Sequence, residues 1–273
     1  MREGSVGDQV KLLQVKLRDA GFTIPADGWF GPATETALVA FQKRAGLVAD
    51  GIAGPKTLQA LTSRDRNPHH LSEQDLEKAA ARLGIPLAAI KAINTVDSSG
   101  AGFNHAGRPV ILYERHVAYR LLGETGMDIA EVDSLAARYP NLINPARGGY
   151  VGGMAEWSRL TSACQVIDRS IAYAACSWGQ YQIMGYHWQR LGYASIDAFV
   201  MAMYTGEAAH LEAFVRYIEA EPALHKAIKA KKWAEVARLY NGPGYKANLY
   251  DIKLARAYER YAAVPATADE ATA

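Results

Sequence analysis

Cysteine is nearly absent: Cys164 and Cys176 are the only two in 273 residues. Each falls in an apolar stretch with helical spacing, which favours buried free thiols over a disulfide framework or a metal pair. An excess of one charge is also missing. Thirty Lys and Arg stand against 28 Asp and Glu, a formal charge of +2, so nothing points to nucleic acid or to an anionic membrane surface. No run reaches the roughly 18 apolar residues needed to cross a bilayer, so no membrane insertion is expected. The opening Met1-Arg2-Glu3-Gly4-Ser5-Val6-Gly7 lacks the apolar core of a signal peptide. Histidines with metal-ligand spacing are lacking as well. His69 and His70 sit together in a polar stretch, and His105, His116, His187, His210 and His225 are scattered. No metal and no cofactor is implied.

What is there is an ordinary apolar supply, 49% of residues, enough for one large domain or two smaller ones. The first part carries an internal repeat. Asp27-Gly28-Trp29-Phe30-Gly31-Pro32-Ala33-Thr34 recurs as Asp50-Gly51-Ile52-Ala53-Gly54-Pro55-Lys56-Thr57. In each copy Asp-Gly supplies a turn and the proline is pre-set for the first helical position. Val10, Leu13 and Leu17 form an apolar stripe before the first copy; Ala37, Leu38, Ala40 and Phe41 form one between the copies, and Leu58 and Leu61 follow the second. This predicts a three-helix unit of about 60 residues, near the lower limit for a self-supporting core.

Ser63-Arg64-Asp65-Arg66-Asn67-Pro68-His69-His70 reads as a linker. A helix is expected from Ser72, with Asp75 as capping partner. Another is expected from Pro86 through Ile90, Ile93 and Val96 to the Ser98-Ser99-Gly100 break. Helical patterns then dominate to about residue 262, apart from the glycine-rich Gly148–Gly153 and the apolar Pro109–Tyr113, a strand or the lead into a helix. The resulting division is 1–62, linker 63–71, 72–262 and a disordered tail 263–273.

Two carboxylates sit in suggestive places. Asp97 closes the Pro86 helix, where the helix dipole and cover from Ile93, Val96 and Phe103 would raise its pKa. Glu114 stands beside Arg115 and His116, which favour its ionised form. One protonated and one ionised carboxyl is the pairing that glycosidic bond cleavage uses.

The motifs resemble two families. Gly7-Asp8-Gln9-Val10, the doubled Asp-Gly-x-x-Gly-Pro-x-Thr and Ala40-Phe41-Gln42 resemble the peptidoglycan-binding domain of wall hydrolases. Val96-Asp97-Ser98-Ser99-Gly100, Tyr113-Glu114-Arg115-His116, Ser177-Trp178-Gly179-Gln180-Tyr181-Gln182-Ile183-Met184-Gly185 and Tyr240-Asn241-Gly242-Pro243 resemble the N-acetylmuramidase domain of phage endolysins. A fainter similarity extends to goose-type lysozymes and lytic transglycosylases.

The resemblance implies a mainly α chain, with a small three-helix peptidoglycan-binding domain and a larger lysozyme-like helical domain. It implies cleavage of the β-1,4 bond between N-acetylmuramic acid and N-acetylglucosamine, with Asp97 as acid and Glu114 as base or stabiliser. Ser98, His116, Gln180, Tyr181, Gln182, Tyr240 and Asn241 would contact the sugars; Asp27, Gly28, Trp29, Phe30, Asp50 and Gly51 would contact the wall. Trp178 and Ile183 read as core, and Trp157, Trp188 and Trp233 as packing. The partner would be bacterial peptidoglycan, met by a monomer that waits in the host bacterial cytoplasm and acts after release.

Asp97 departs from the family pattern, which has glutamate there; the acid is shorter by one carbon–carbon bond, about 1.5 Å. Three alternatives are a lytic transglycosylase giving 1,6-anhydro ends, a metal-dependent wall peptidase or amidase, and a catalytically disabled wall-binding variant.

Overall fold

A computed structural model of the chain describes residues 1–63, 67–97 and 101–263. The expected linker residues 64–66, Ser98 and nearly all of the expected tail lie outside them. The elements run α1 (Asp8–Asp19), α2 (Pro32–Arg44), α3 (Pro55–Ser63), α4 (Glu73–Leu83) and α5 (Leu87–Asp97). Next come β1 (Ile111–Tyr113), α6 (Arg115–Glu124), α7 (Ile129–Arg138), α8 (Ala155–Val166), α9 (Arg169–Ala174), β2 (Cys176–Trp178) and β3 (Ile183–Met184). The chain closes with α10 (Ile196–Thr205), α11 (Glu207–Ala220), α12 (Pro222–Lys229), α13 (Trp233–Asn241) and α14 (Tyr250–Ala263). They form two compact units, residues 1–96 with 223 onward, and residues 97–222.

In the first unit α1–α3 close around Val10, Leu13, Leu17, Phe30, Leu38 and Phe41. Each such side chain, fully buried, contributes about 1.5–3 kcal/mol. The repeat is a repeat of bonding as well as of letters. In the first copy the buried Gln14 amide nitrogen reaches Asp27 Oδ1 at 2.9 Å, the Trp29 carbonyl at 2.9 Å and Thr34 Oγ1 at 3.0 Å, while its oxygen accepts from Gly28 N. In the second, Gln42 reaches Asp50 Oδ1 at 2.8 Å, the Ile52 carbonyl at 3.0 Å and Thr57 Oγ1 at 3.1 Å, and accepts from Gly51 N. One buried amide thus satisfies each turn, as buried polar groups require.

The Ser72–Asp75 capping box opens α4 as expected, and Gly84 closes it in the left-handed conformation, φ 59°. His225 of α12 meets the Leu83 carbonyl at 2.7 Å, and Trp233 of α13 packs on Tyr258 of α14.

The second unit adds what helical periodicity missed, a small antiparallel sheet ordered β1-β2-β3. Its register pairs Ile111 with Trp178, Tyr113 with Cys176, and Ser177 with Met184. Pro109–Tyr113 therefore contains a strand, and Cys176 lies on a strand rather than on a helix; both thiols are free, with Cys164 half-buried and Cys176 buried. Trp178 and Ile183 are core. Trp157 and Tyr173 meet the Trp178 ring edge-on.

Candidate active site

β1 leads directly into Glu114, the residue that opens α6. Its backbone N–H is taken by the Ala175 carbonyl at 2.9 Å, which registers it against the end of α9. The side chain does not cap its own helix. It turns to Tyr150 instead, whose hydroxyl lies 2.9 Å from Oε2 and 3.1 Å from Oε1. His116 Nδ1 lies 3.1 Å from Oε2, close enough for attraction but not aligned as a hydrogen bond. Burial, helped by Arg147 and Arg120, outweighs the pull of Glu114 and keeps the His116 pKa below its ordinary 6.5. The lowered pKa favours the neutral imidazole. Burial and then the Glu114 carboxylate raise the Tyr150 pKa, so the phenol stays a donor. The Glu114 side chain keeps 15% of its surface exposed, enough for a water or a sugar to reach it.

Tyr150 lies in the glycine-rich segment noted in the sequence, where no role was assigned to it; the structure sets it against Glu114. Its loop is built for a fixed position. Gly148, Gly149, Gly152 and Gly153 all have positive φ, and a Cβ on Gly149 would lie 3.0 Å from the Arg115 guanidinium. Arg115 donates to the carbonyls of Pro140, Ala146 and Arg147, fixing the approach to the loop. Beyond Tyr150 the buried Glu156 takes over. Its Oε1 accepts from Val151 N at 2.7 Å and Gly152 N at 3.0 Å; its Oε2 accepts from Tyr113 N and Arg159. Burial alone would raise the Glu156 pKa, but these backbone donors and Arg159 together bring it below the usual value. The signal available beforehand was four glycines bracketing one tyrosine.

The β2–β3 turn holds Gly179, Gln180, Tyr181 and Gln182. Gln182 sits at φ 50°, with Ser177 Oγ donating to its Oε1 at 2.7 Å and its Nε2 donating to the Gly179 carbonyl at 2.8 Å. Gln180 is buried and donates its backbone N–H to His210 Nδ1 at 3.1 Å. His210 Nε2 meets the Met203 carbonyl at 2.8 Å, which sets the proton on Nε2. The same imidazole stacks on Phe103, and the adjacent Glu207 accepts from Gly102 N at 3.0 Å. His210 thus joins the segment beyond Gly100 to the β2–β3 turn. Tyr181 is in the core, 2% exposed and stacked flat on Phe214.

Asp97 is the last residue of α5; its side chain lies outside the described residues, as does Ser98. Tyr240 and Asn241 end α13 in the first unit. Among the wall-facing candidates, Trp29 is 56% exposed whereas Phe30 is fully buried.

Residues 86–262 match the N-acetylmuramidase family. The chain belongs to that family. Residues 6–61 match the peptidoglycan binding domain family, so this muramidase carries a module for bacterial peptidoglycan. The crystal structure of the Burkholderia AP3 phage endolysin is similar with a TM-score of 0.92 and 51% sequence identity, covering 97% of this chain and 99% of that one. These are the parts of a peptidoglycan hydrolase of the endolysin type, a glycosidase.

Partial relatives share shorter stretches. The N-acetylmuramoyl-L-alanine amidase CwlM of Mycobacterium tuberculosis is 39% identical over 105 residues, 36% of this chain and 25% of that protein. The zinc D-Ala-D-Ala carboxypeptidase of Streptomyces albus G is 44% identical over 64 residues, 22% of this chain and 25% of that protein. The chain spans about a quarter of the length of these curated relatives. Among the described residues no helix is long and apolar enough to cross a membrane.

Proposed function

We propose that this muramidase cuts the β-1,4 bond between N-acetylmuramic acid and N-acetylglucosamine, with Asp97 protonating the leaving oxygen and Glu114 activating water or stabilising the cationic sugar. The observation that carries this reading is the setting of Glu114. It is a half-buried carboxylate that accepts from the Tyr150 phenol, whose loop is tied by Arg115 and Glu156, with the His116 imidazole alongside. A base that must orient water needs such a fixed acceptor. A transglycosylase, whose sugar supplies its own nucleophile, has no use for a second carboxylate.

Tyr150 is the positioning partner of Glu114. Ser98, His116, Gln180, Gln182, Tyr240 and Asn241 are assigned to sugar contacts, because amides and aromatic faces suit a ligand with hydroxyl edges and apolar faces. Tyr181, stacked on Phe214, supports the turn from beneath. Residues 1–62 attach the chain to the wall and 72–262 cleave, so that attachment raises the local glycan concentration. The protein acts as a monomer, held in the host bacterial cytoplasm until released to the wall.

Mass spectrometry of borohydride-reduced fragments released from purified peptidoglycan tests this. Fragments ending in reduced N-acetylmuramic acid are expected. Anhydro ends would replace hydrolysis with transglycosylation, and no fragments from a wall-bound protein would make it a disabled binder.

A further inference from the structure

The two repeated turns have the same internal bonding but different surroundings. The second is covered on both sides within the first unit. Arg260 of α14 donates to the Asp50 carbonyl, and a Cβ on Gly51 would lie 2.9 Å from Glu35 Oε1 and 3.5 Å from Arg260 Nη2. Just before it, Ala49 N donates to Glu73 Oε2 at 2.9 Å and the Ala49 carbonyl accepts from Lys91 Nζ at 3.0 Å, with Glu73 and Lys91 themselves paired. Lys91 also lies over the Tyr261 ring, whose hydroxyl meets Thr95. Gly51 is buried as a result.

Among the described residues the first turn has no such cover. Trp29 is 56% and Val6 73% exposed, and the two are joined by a β-bridge. The indole lies against Gly31, where a Cβ would come within 2.8 Å of the ring. One part of the ring is thus fixed against backbone and the rest is presented. Asp27 Oδ1 accepts from both Gln14 and Trp29 N. Burial raises the pKa of Asp50, whereas the Trp29 and Gln14 bonds lower that of exposed Asp27.

We propose that the doubled motif has divided its labour: the Asp27-Gly28-Trp29 turn alone receives the wall glycan, and the Asp50-Gly51 turn fastens the module to α4, α5 and α14. This deepens, and rests on, the reading of residues 1–62 as the wall-binding part. The ligand is the sugar chain, not the peptide stem. A fixed, exposed indole stacks on the apolar face of a pyranose, and the neighbouring carboxylate takes its hydroxyls.

The test is co-sedimentation of the full chain with purified peptidoglycan in the cold, with glycan strands stripped of peptide as competitor. Trp29→Ala is expected to weaken binding by about tenfold, equivalent to the loss of about 1.4 kcal/mol of contact, in a protein that still melts cooperatively. Arg260→Ala is expected to lower the melting temperature by several degrees and to leave wall binding within about twofold. Full binding by Trp29→Ala overturns the proposal, as does loss of binding by a folded Arg260→Ala. Competition by free stem peptides rather than by stripped glycan overturns the choice of ligand. If the unaltered chain does not sediment with the wall, the wall-binding reading itself falls and takes this one with it.

Discussion

Tyr150 Oη lies 2.9 Å from Glu114 Oε2 and 3.1 Å from Oε1, across 36 residues of sequence. The contact exists because α6 and α8 each contribute a polar anchor to the intervening loop. Arg115, next to Glu114, holds the loop's approach, and Glu156 holds its exit. A hydrogen bond to a charged partner contributes about 1.5–3 kcal/mol, and each 1.36 kcal/mol is tenfold in rate. Tyr150→Phe should therefore lower kcat by about tenfold to a hundredfold on soluble glycan. KM should hardly change, because the substitution removes only the hydroxyl that meets Glu114. A kcat equal to that of the unaltered chain would remove Tyr150 from the mechanism.

Asp97 offers the complementary test. With one methylene fewer than the family's glutamate, its carboxyl stops short by about 1.5 Å, and a misplacement of about 1 Å costs on the order of 100-fold. Asp97→Glu should raise the rate of wall lysis towards that factor, and Asp97→Asn should abolish lysis while leaving wall binding intact. If glutamate brings no gain, the cleft has adjusted to aspartate; if asparagine still lyses, the acid lies elsewhere.

Much of this was legible in the sequence, and the omissions have physical causes. The Asp-Gly-x-x-Gly-Pro-x-Thr turns and the Ser72 cap are local features, and local features survive reading one window at a time. Trp29 and Phe30 were both assigned to the wall, but neighbours in an extended segment face opposite ways, and Phe30 went to the core. A strand was one of two readings of Pro109–Tyr113, but β2 and β3 escaped because strands of two and three residues are too short to show a period of two. The bond from Arg260 to Asp50 and that from Tyr150 to Glu114 are tertiary, and no local pattern announces them. Tyr181 looked like a cleft residue by position, and only its stacking on Phe214 places it inside.

Two glycines make room for one histidine. A Cβ on Gly102 would lie 2.6 Å from His210 Nδ1, and one on Gly179 would lie 2.7 Å from His210 Cγ. Gly179 is also left-handed, at φ 70°. Gly179→Ala should therefore destabilise by about 1–3 kcal/mol through overpacking and by a further ~1–2 kcal/mol for its backbone. Gly102→Ala meets the overpacking cost alone. Adding His210→Ala to Gly102→Ala should return part of the loss, a coupling that thermal melts of the three variants measure. Strict additivity would show that the ring is not what the glycines accommodate.

Stability should fall on the acid side through His187. Its ring sits between Tyr186 and Tyr217, and burial, reinforced by Arg190, lowers its pKa from 6.5 to about 4. Glu221 opposes that shift and Arg120 adds slightly to it. Between those two values the unfolded chain binds a proton that the folded chain refuses, so protonation favours unfolding. The contribution is absent above pH 6.5, grows as the pH falls through that interval, and is complete below about 4. Melting temperatures recorded from pH 7.5 to 4.5 should decline, and His187→Phe, which keeps an aromatic ring between the tyrosines but cannot titrate, should flatten the decline. An unchanged slope in that variant would assign the acid sensitivity to other groups.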